Sequence, residues 1–242
     1  MTPWTTANGV RVERYEVPEG GLGDALDGET IADFIAFATA LFGPLPYGET
    51  LRVIGAPVPW LGFEHPANIV MSDTVMTVPN LYAHPTRHVL LHEIVHQWAG
   101  NRTTLADPYD FVWKEAIAEY VAYVYEDIHF PADSAMTRRG WDRLARFAYV
   151  YPRPTDVPPP RFENVMYDAY GTGPMLLVAL EDLVGRAAVL DGIRRFLSKP
   201  GAQPTHALFD DIASASGTDL SRFVETFVFG AGEPDWPVFT TE

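Results

Sequence analysis

From Thr86 to Ala99 the chain contains neither glycine nor proline, ends at Gly100-Asn101, and sets His92, Glu93 and His96 among Val89, Leu90, Leu91, Ile94, Val95 and Trp98. Such a run predicts one helix with a left-handed stop, and it divides a chain of 242 residues into halves of different character. Before it, Val10 to Tyr15 alternates as a half-buried strand does, and Leu51 to Gly55 and Ala67 to Ser72 read as two further strands around Trp60 to Pro66. A helix is expected from about Gly28 to Phe42, where Ile31, Phe34, Ile35, Ala38 and Leu41 share one face before Gly43-Pro44. Beyond the run, helices predominate. They are expected over Phe111 to Asp127, capped by Asp110, then Arg138 to Tyr149, Gly173 to Val184, Ala187 to Leu197, Leu208 to Ser214 and Asp219 to Phe227. Tyr151 to Pro160 is expected to be an extended, proline-rich spacer. The expected class is α+β: a small N-terminal mixed sheet with helices, a mainly helical C-terminal half, and the histidine helix between them.

Composition narrows the chemistry. There is no cysteine, so thiolate nucleophiles, iron–sulfur clusters and Cys-ligated zinc are excluded, and any metal must be held by histidine and carboxylate. Seventeen Lys and Arg against 32 Asp and Glu give a net charge of −15, which opposes nucleic-acid backbones and anionic membranes. The apolar runs Ile31 to Phe42 and Met175 to Val184 are interrupted by acids and too short to span a bilayer. Met1 to Thr6 lacks the basic start and apolar core of a signal peptide, so a cytoplasmic setting is expected.

The metal candidates follow from spacing. In a helix, His92 and His96 project from one face one turn apart, so two imidazoles can share one ion. Glu115, with 18 residues between it and His96, supplies a carboxylate from the next helix, and a His, His, Glu set suits one tetrahedral zinc with an open position for water. Glu93 is adjacent to His92, cannot point at the ion with the histidines, and is the general-base candidate for that water. His88, a turn before His92, is expected to be structural or to support a ligand, since three ligands in line on one helix do not close a tetrahedron. Glu119 could accept from a ligating imidazole or be a solvated helix carboxylate.

His92-Glu-Ile-Val-His-Gln-Trp-Ala-Gly-Asn101 followed by Trp113-Lys-Glu-Ala-Ile-Ala-Glu-Tyr120 resembles the catalytic core of the aminopeptidase N and leukotriene hydrolase family of gluzincin zinc peptidases. Phe42 to Tyr47, Ala215 to Leu220 and Gly230 to Pro234 extend the likeness toward both ends of the chain. The resemblance implies a single thermolysin-like catalytic domain over 1–242, with subdomains 1–100 and 101–242, and a minimal member without the family's large N-terminal sheet and C-terminal helical domains.

It also implies roles. The family's Tyr-x-Lys-Gly segment corresponds to Tyr170-Gly-Thr-Gly173, so Tyr170 is expected to donate to the developing oxyanion, with Tyr167 as its rival and Thr172 replacing the lysine. Its Gly-x-Met-Glu-Asn strip corresponds to Leu61-Gly62-Phe63-Glu64-His65. Gly62 and Phe63 would then meet the substrate backbone and Glu64 its amino terminus, while Ala67 to Ser72 would be the edge strand to which a peptide adds. The implied function is peptide-bond hydrolysis, foremost as a zinc aminopeptidase. The alternatives are endo- or carboxypeptidase specificity in an open cleft, and an inactive peptide-binding module.

Overall fold

The computed structural model describes residues 2–16, 22, 26–73, 82–150 and 166–229, with side-chain environments described from residue 8 onward and not for 147–150. The spacer at 151–160 and the 230–234 segment lie outside these residues. Two compact units emerge, one of residues 1–103 with 121–137, the other of residues 104–120 with 138–242.

The first unit is built on a five-stranded sheet, β1 (Thr2–Ala7), β2 (Val10–Tyr15), β3 (Thr50–Ala56), β4 (Gly62–His65) and β5 (Asn68–Ser72), in the order β1-β2-β3-β5-β4. It is mixed: β1–β2 and β4–β5 are antiparallel, β2–β3 and β3–β5 parallel. Val12, Leu51, Val53, Ile69 and Met71 are fully buried, as period-two alternation on a covered face requires. Two strands of this sheet exceed the expected set, β1 and β4. The second matters for function, because β4 and not the Ala67 to Ser72 strand lies at the edge; β5 is held between β3 and β4.

Helix α1 (Gly28–Phe42) starts on Asp27, whose carboxylate accepts from the Glu29 and Thr30 amides. It stops at Gly43, whose φ of 84° and ψ of −178° only glycine adopts without strain. Its buried face is Ile31, Phe34, Ile35, Ala38 and Phe42, the last in place of Leu41. Helix α2 (Pro85–Val95) is covered all round: every residue from His88 to Val95 is buried, so it shows no amphipathic stripe. It adjoins β4 and β5. It ends four residues earlier than expected, because the Gln97 and Trp98 amides bond to Ile94 and Val95 in a tighter turn and Thr103 N–H takes the Trp98 carbonyl.

Helix α3 (Phe111–His129) and helix α4 (Pro131–Val150) contribute residues 121–137 to this unit. There Tyr125 packs edge-on against Phe34, with ring centroids 5.1 Å apart, and donates to Asp33. Burial, then the bond to Asp33, pushes its phenol pKa up. His88 is fully buried and pairs with Glu126 at 2.9 Å beneath the stacked Tyr82 ring.

The second unit holds the start of α3, the end of α4, α5 (Gly173–Val184), α6 (Arg186–Leu197), β7 (Gly201–Gln203) and α7 (Thr205–Ser216). A short strand, β6 (Thr103–Leu105), pairs with β7. Asp110 does not cap α3 from outside. It closes a 3₁₀ turn, Pro108–Asp110, capped by Asp107; its carboxylate accepts from the Ala106 and Asp107 amides and, on the other oxygen, from both the amide and the hydroxyl of Thr205 at the start of α7. Four donors explain why this aspartate is buried. The last expected helix is a single turn, Ser221–Phe223, running into a π turn, Val224–Val228. Among the described residues no helix is long and apolar enough to cross a membrane.

Candidate active site

Within the first unit, α2 and the β4–β5 hairpin assemble four of the expected side chains. His92 and His96 are buried, with their Nε2 atoms 2.9 Å apart. His96 Nδ1 lies 2.8 Å from the Ala99 carbonyl, an acceptor only, so Nδ1 carries the proton and Nε2 presents its lone pair toward His92. Two buried imidazole nitrogens turned to one point are a donor set that fits zinc. Glu93 is buried on the same helix, and one ligand atom each of Glu93, Glu64 and His96 lie within 4.8 Å of one another.

Glu64 comes from β4, where exposure alternates: Gly62 and Glu64 are half-buried, whereas Phe63 and His65 are exposed on the other face. Gly62 is required by its neighbours. A Cβ there would stand 2.8 Å from Glu93 Oε1 and 3.0 Å from Val89 Cγ1, so any side chain at position 62 would press on Glu93 and Val89 and require them to shift.

Within the second unit, Glu115 is buried on α3, its Oε1 accepting from Lys114 Nζ and its Oε2 from the Tyr170 hydroxyl, both at 2.8 Å. Tyr170 stands in a π turn, Asp168–Thr172, a distortion often found at functional sites. The turn sits tightly because a Cβ at Gly171 would meet Ala145 N at 2.5 Å and one at Gly173 would meet the Ala116 Cβ at 2.7 Å. Thr172 is buried beside it. Glu119 accepts from the Trp141 indole N–H at 2.6 Å with both side chains buried, which excludes a solvated carboxylate. His88 is occupied by Glu126, in keeping with a structural role.

Two contributors were not expected to act, Lys114 and Gln97. Lys114 is simply adjacent to Glu115, and nothing in its spacing marks it. Gln97 is fully buried and bonds to the hairpin turn; its position directly after His96 was the available signal.

The sequence pattern described as the Peptidase family M1 domain matches residues 30–227. Among curated relatives, "Probable aminopeptidase 1" of Sulfurisphaera tokodaii is 27% identical over 165 residues, 63% of this chain and 20% of that protein. The "Alanine/arginine aminopeptidase" of Saccharomyces cerevisiae is 27% identical over 157 residues, 60% of this chain and 18% of its own. A solved two-domain M1 zinc metallopeptidase mutant bound to L-arginine superposes with a TM-score of 0.73 at 25% identity, covering 94% of this chain and 50% of that one. An M1 zinc metallopeptidase from Deinococcus radiodurans does so at 0.70 and 23% identity, covering 100% and 53%, and shares the fold. The chain thus spans about a fifth of these curated relatives and about half of the solved peptidases. Because the match runs from α1 through the helices of the second unit, and not through the histidine helix alone, this chain belongs to peptidase family M1.

Proposed function

We propose that the chain is the catalytic domain, over 1–242, of a zinc aminopeptidase. His92, His96 and Glu115 hold one zinc ion; Glu93 and Tyr170 carry the chemistry; Glu64 receives the peptide with Gly62, whose face of the strand it shares, whereas Phe63, expected to join them, is turned to the other face. The observation that carries this reading is the grouping of Glu93, Glu64 and His96 within 4.8 Å in one unit, a proton acceptor and an ammonium acceptor beside a ligand. Family membership supports it, as do the aminopeptidase names of the relatives. Bound zinc supplies positive charge that polarises the scissile carbonyl and the attacking water.

The chain's own groups do the rest. Glu93 takes a proton from the attacking water and returns it to the leaving amine, so water and peptide become an acid and an amine with Glu93 regenerated. The Tyr170 hydroxyl donates to the oxygen on which charge develops. Glu64 pairs with the substrate ammonium, an interaction strengthened where water is excluded.

The test compares a free-amine peptide with its N-acetylated twin in wild type and in Glu64→Gln. Wild type is expected to lose about 30- to 1000-fold in kcat/KM on acetylation, and the variant much less. Glu93→Gln should keep its zinc and lose turnover about 100-fold or more. Equal cleavage of both twins sinks the amine anchor and leaves an endo- or carboxy-directed zinc peptidase. Peptide binding without turnover in the zinc-loaded wild type leaves a binding module.

A further inference from the structure

One side chain fastens the β4–β5 hairpin to the end of α2. Gln97 is fully buried, and both ends of its carboxamide are spent on the hairpin turn: Oε1 accepts from the Ala67 amide at 2.8 Å, and Nε2 donates to the His65 carbonyl at 3.3 Å. Ala67, second residue of the two-residue turn between His65 and Asn68, holds a positive φ of 59°, a conformation that costs an alanine energy. At the opposite end of β4, Gly62 lies so close to α2 that any side chain would meet Glu93 and Val89. Glu64 sits between these two points of attachment. A strand advances about 3.3 Å per residue and reverses face at each step, so a small slide of β4 along α2 would change the distance between the Glu64 and Glu93 carboxylates.

We propose that Gln97 is a positioning residue for substrate recognition: by clamping the turn after β4 it sets that strand's register on α2, and with it the spacing between the ammonium acceptor Glu64 and the proton acceptor Glu93. The proposal rests on the aminopeptidase reading, in which both carboxylates act on one peptide. Gln97 touches neither substrate nor reacting atoms, so its effect falls on binding of the free amine more than on turnover.

The experiment uses the full zinc-loaded chain as Gln97→Met, which fills similar space without either hydrogen bond, and Gln97→Glu, which keeps the acceptor for Ala67 and loses the donor to His65. Amide hydrogen exchange over 62–68, zinc content, and KM and kcat for the free-amine peptide and its acetylated twin are measured. Gln97→Met is expected to speed exchange at Ala67 and to raise KM for the free-amine peptide, each by about tenfold, as loss of a buried hydrogen bond predicts. The preference over the acetylated twin should fall by a similar factor, with kcat changed less than about threefold and zinc retained. Gln97→Glu should fall between wild type and Gln97→Met.

Faster exchange at Ala67 with wild-type KM and preference would overturn the proposal and leave Gln97 a brace for the turn. Loss of zinc together with kcat would also overturn it, since Gln97 would then act through His96. If Gln97→Met does not fold, Gln97→Glu decides by the same split between KM and kcat. If the wild type ignores the substrate amine, the aminopeptidase reading fails on its own measurement. The proposal is then overturned together with that reading, and acceleration confined to 62–68 leaves Gln97 a brace for the turn.

Discussion

Both oxygens of Glu115 are oriented by neighbours, Lys114 on one and Tyr170 on the other, so the tyrosine that the family likeness assigns to the oxyanion also touches a proposed metal ligand. Two roles follow for one hydroxyl, and kinetics separates them. Tyr170→Phe is expected to lower kcat about 100-fold with KM nearly unchanged, because an oxyanion donor acts mainly in the transition state. Tyr167→Phe is expected to behave as wild type. A Tyr170→Phe enzyme that loses zinc in proportion to activity would instead make the hydroxyl a support for Glu115. At this scale, spacing made the His92 and His96 pair legible, because the period of a helix fixes which side chains share a face. The partners of Gln97 and Glu119 were not legible. Gln97 meets Ala67 thirty residues away and Glu119 meets Trp141 twenty-two away, and no local pattern encodes such meetings.

Among the elements, those with strong local signals stand as their residues predict: β2 at Val10–Tyr15, α1 with its Gly43 stop, and α5 at Gly173–Val184. The misread elements are short ones whose local signal is weak. Strand β4 has four residues, two of them exposed, too short for alternation to declare itself. The 3₁₀ turn at Asp110 is closed by its own box with Asp107, and its aspartate also takes a partner, Thr205, ninety-five residues later. The cap of α1 gives a pH-dependent test. The Thr30 hydroxyl, then the Glu29 amide, hold the Asp27 carboxyl below its ordinary 3.8. A lowered folded pKa means the charge-assisted part of the cap is present in full above that ordinary value and is lost as pH falls through the lowered one. Asp27→Ala should therefore cost about 1 kcal/mol at pH 7, with a smaller gap from wild type near pH 3. Thermal melts of both proteins at the two pH values check it; a gap that widens in acid contradicts the assignment.

At the scale of the molecule, acidity is the dominant property, and a net charge of −15 acts at a distance that contacts do not. Peptides carrying lysines downstream of the scissile bond are expected to show higher kcat/KM than glutamate counterparts at low ionic strength, through faster encounter. That advantage should shrink severalfold between about 0.01 and 0.5 M salt as the screening length contracts. A lysine-to-glutamate ratio indifferent to salt would assign the preference to local contacts. The composition change near the histidine helix is legible from residue types alone. The membership of 121–137 in the first unit is not, since it depends on Tyr125 meeting Phe34 and on Glu126 meeting His88.

The hairpin that places Glu64 has one more consequence. Ser72 N–H bonds to the Leu61 carbonyl, and the register pairs Phe63 with Val70 and His65 with Asn68. Bonded and non-bonded pairs alternate in an antiparallel ladder, so Phe63 and His65 direct their backbone groups to β5 while Gly62 and Glu64 turn theirs outward. Pro66, which follows, has no N–H to offer. The edge is therefore a ruler two residues long: a guest strand laid along it can match its main chain at Gly62 and Glu64 and nowhere beyond, and lengthening the guest adds no further rungs. The same brevity limits pairing at this edge, because two rungs are few for copies of the chain to zip together along β4.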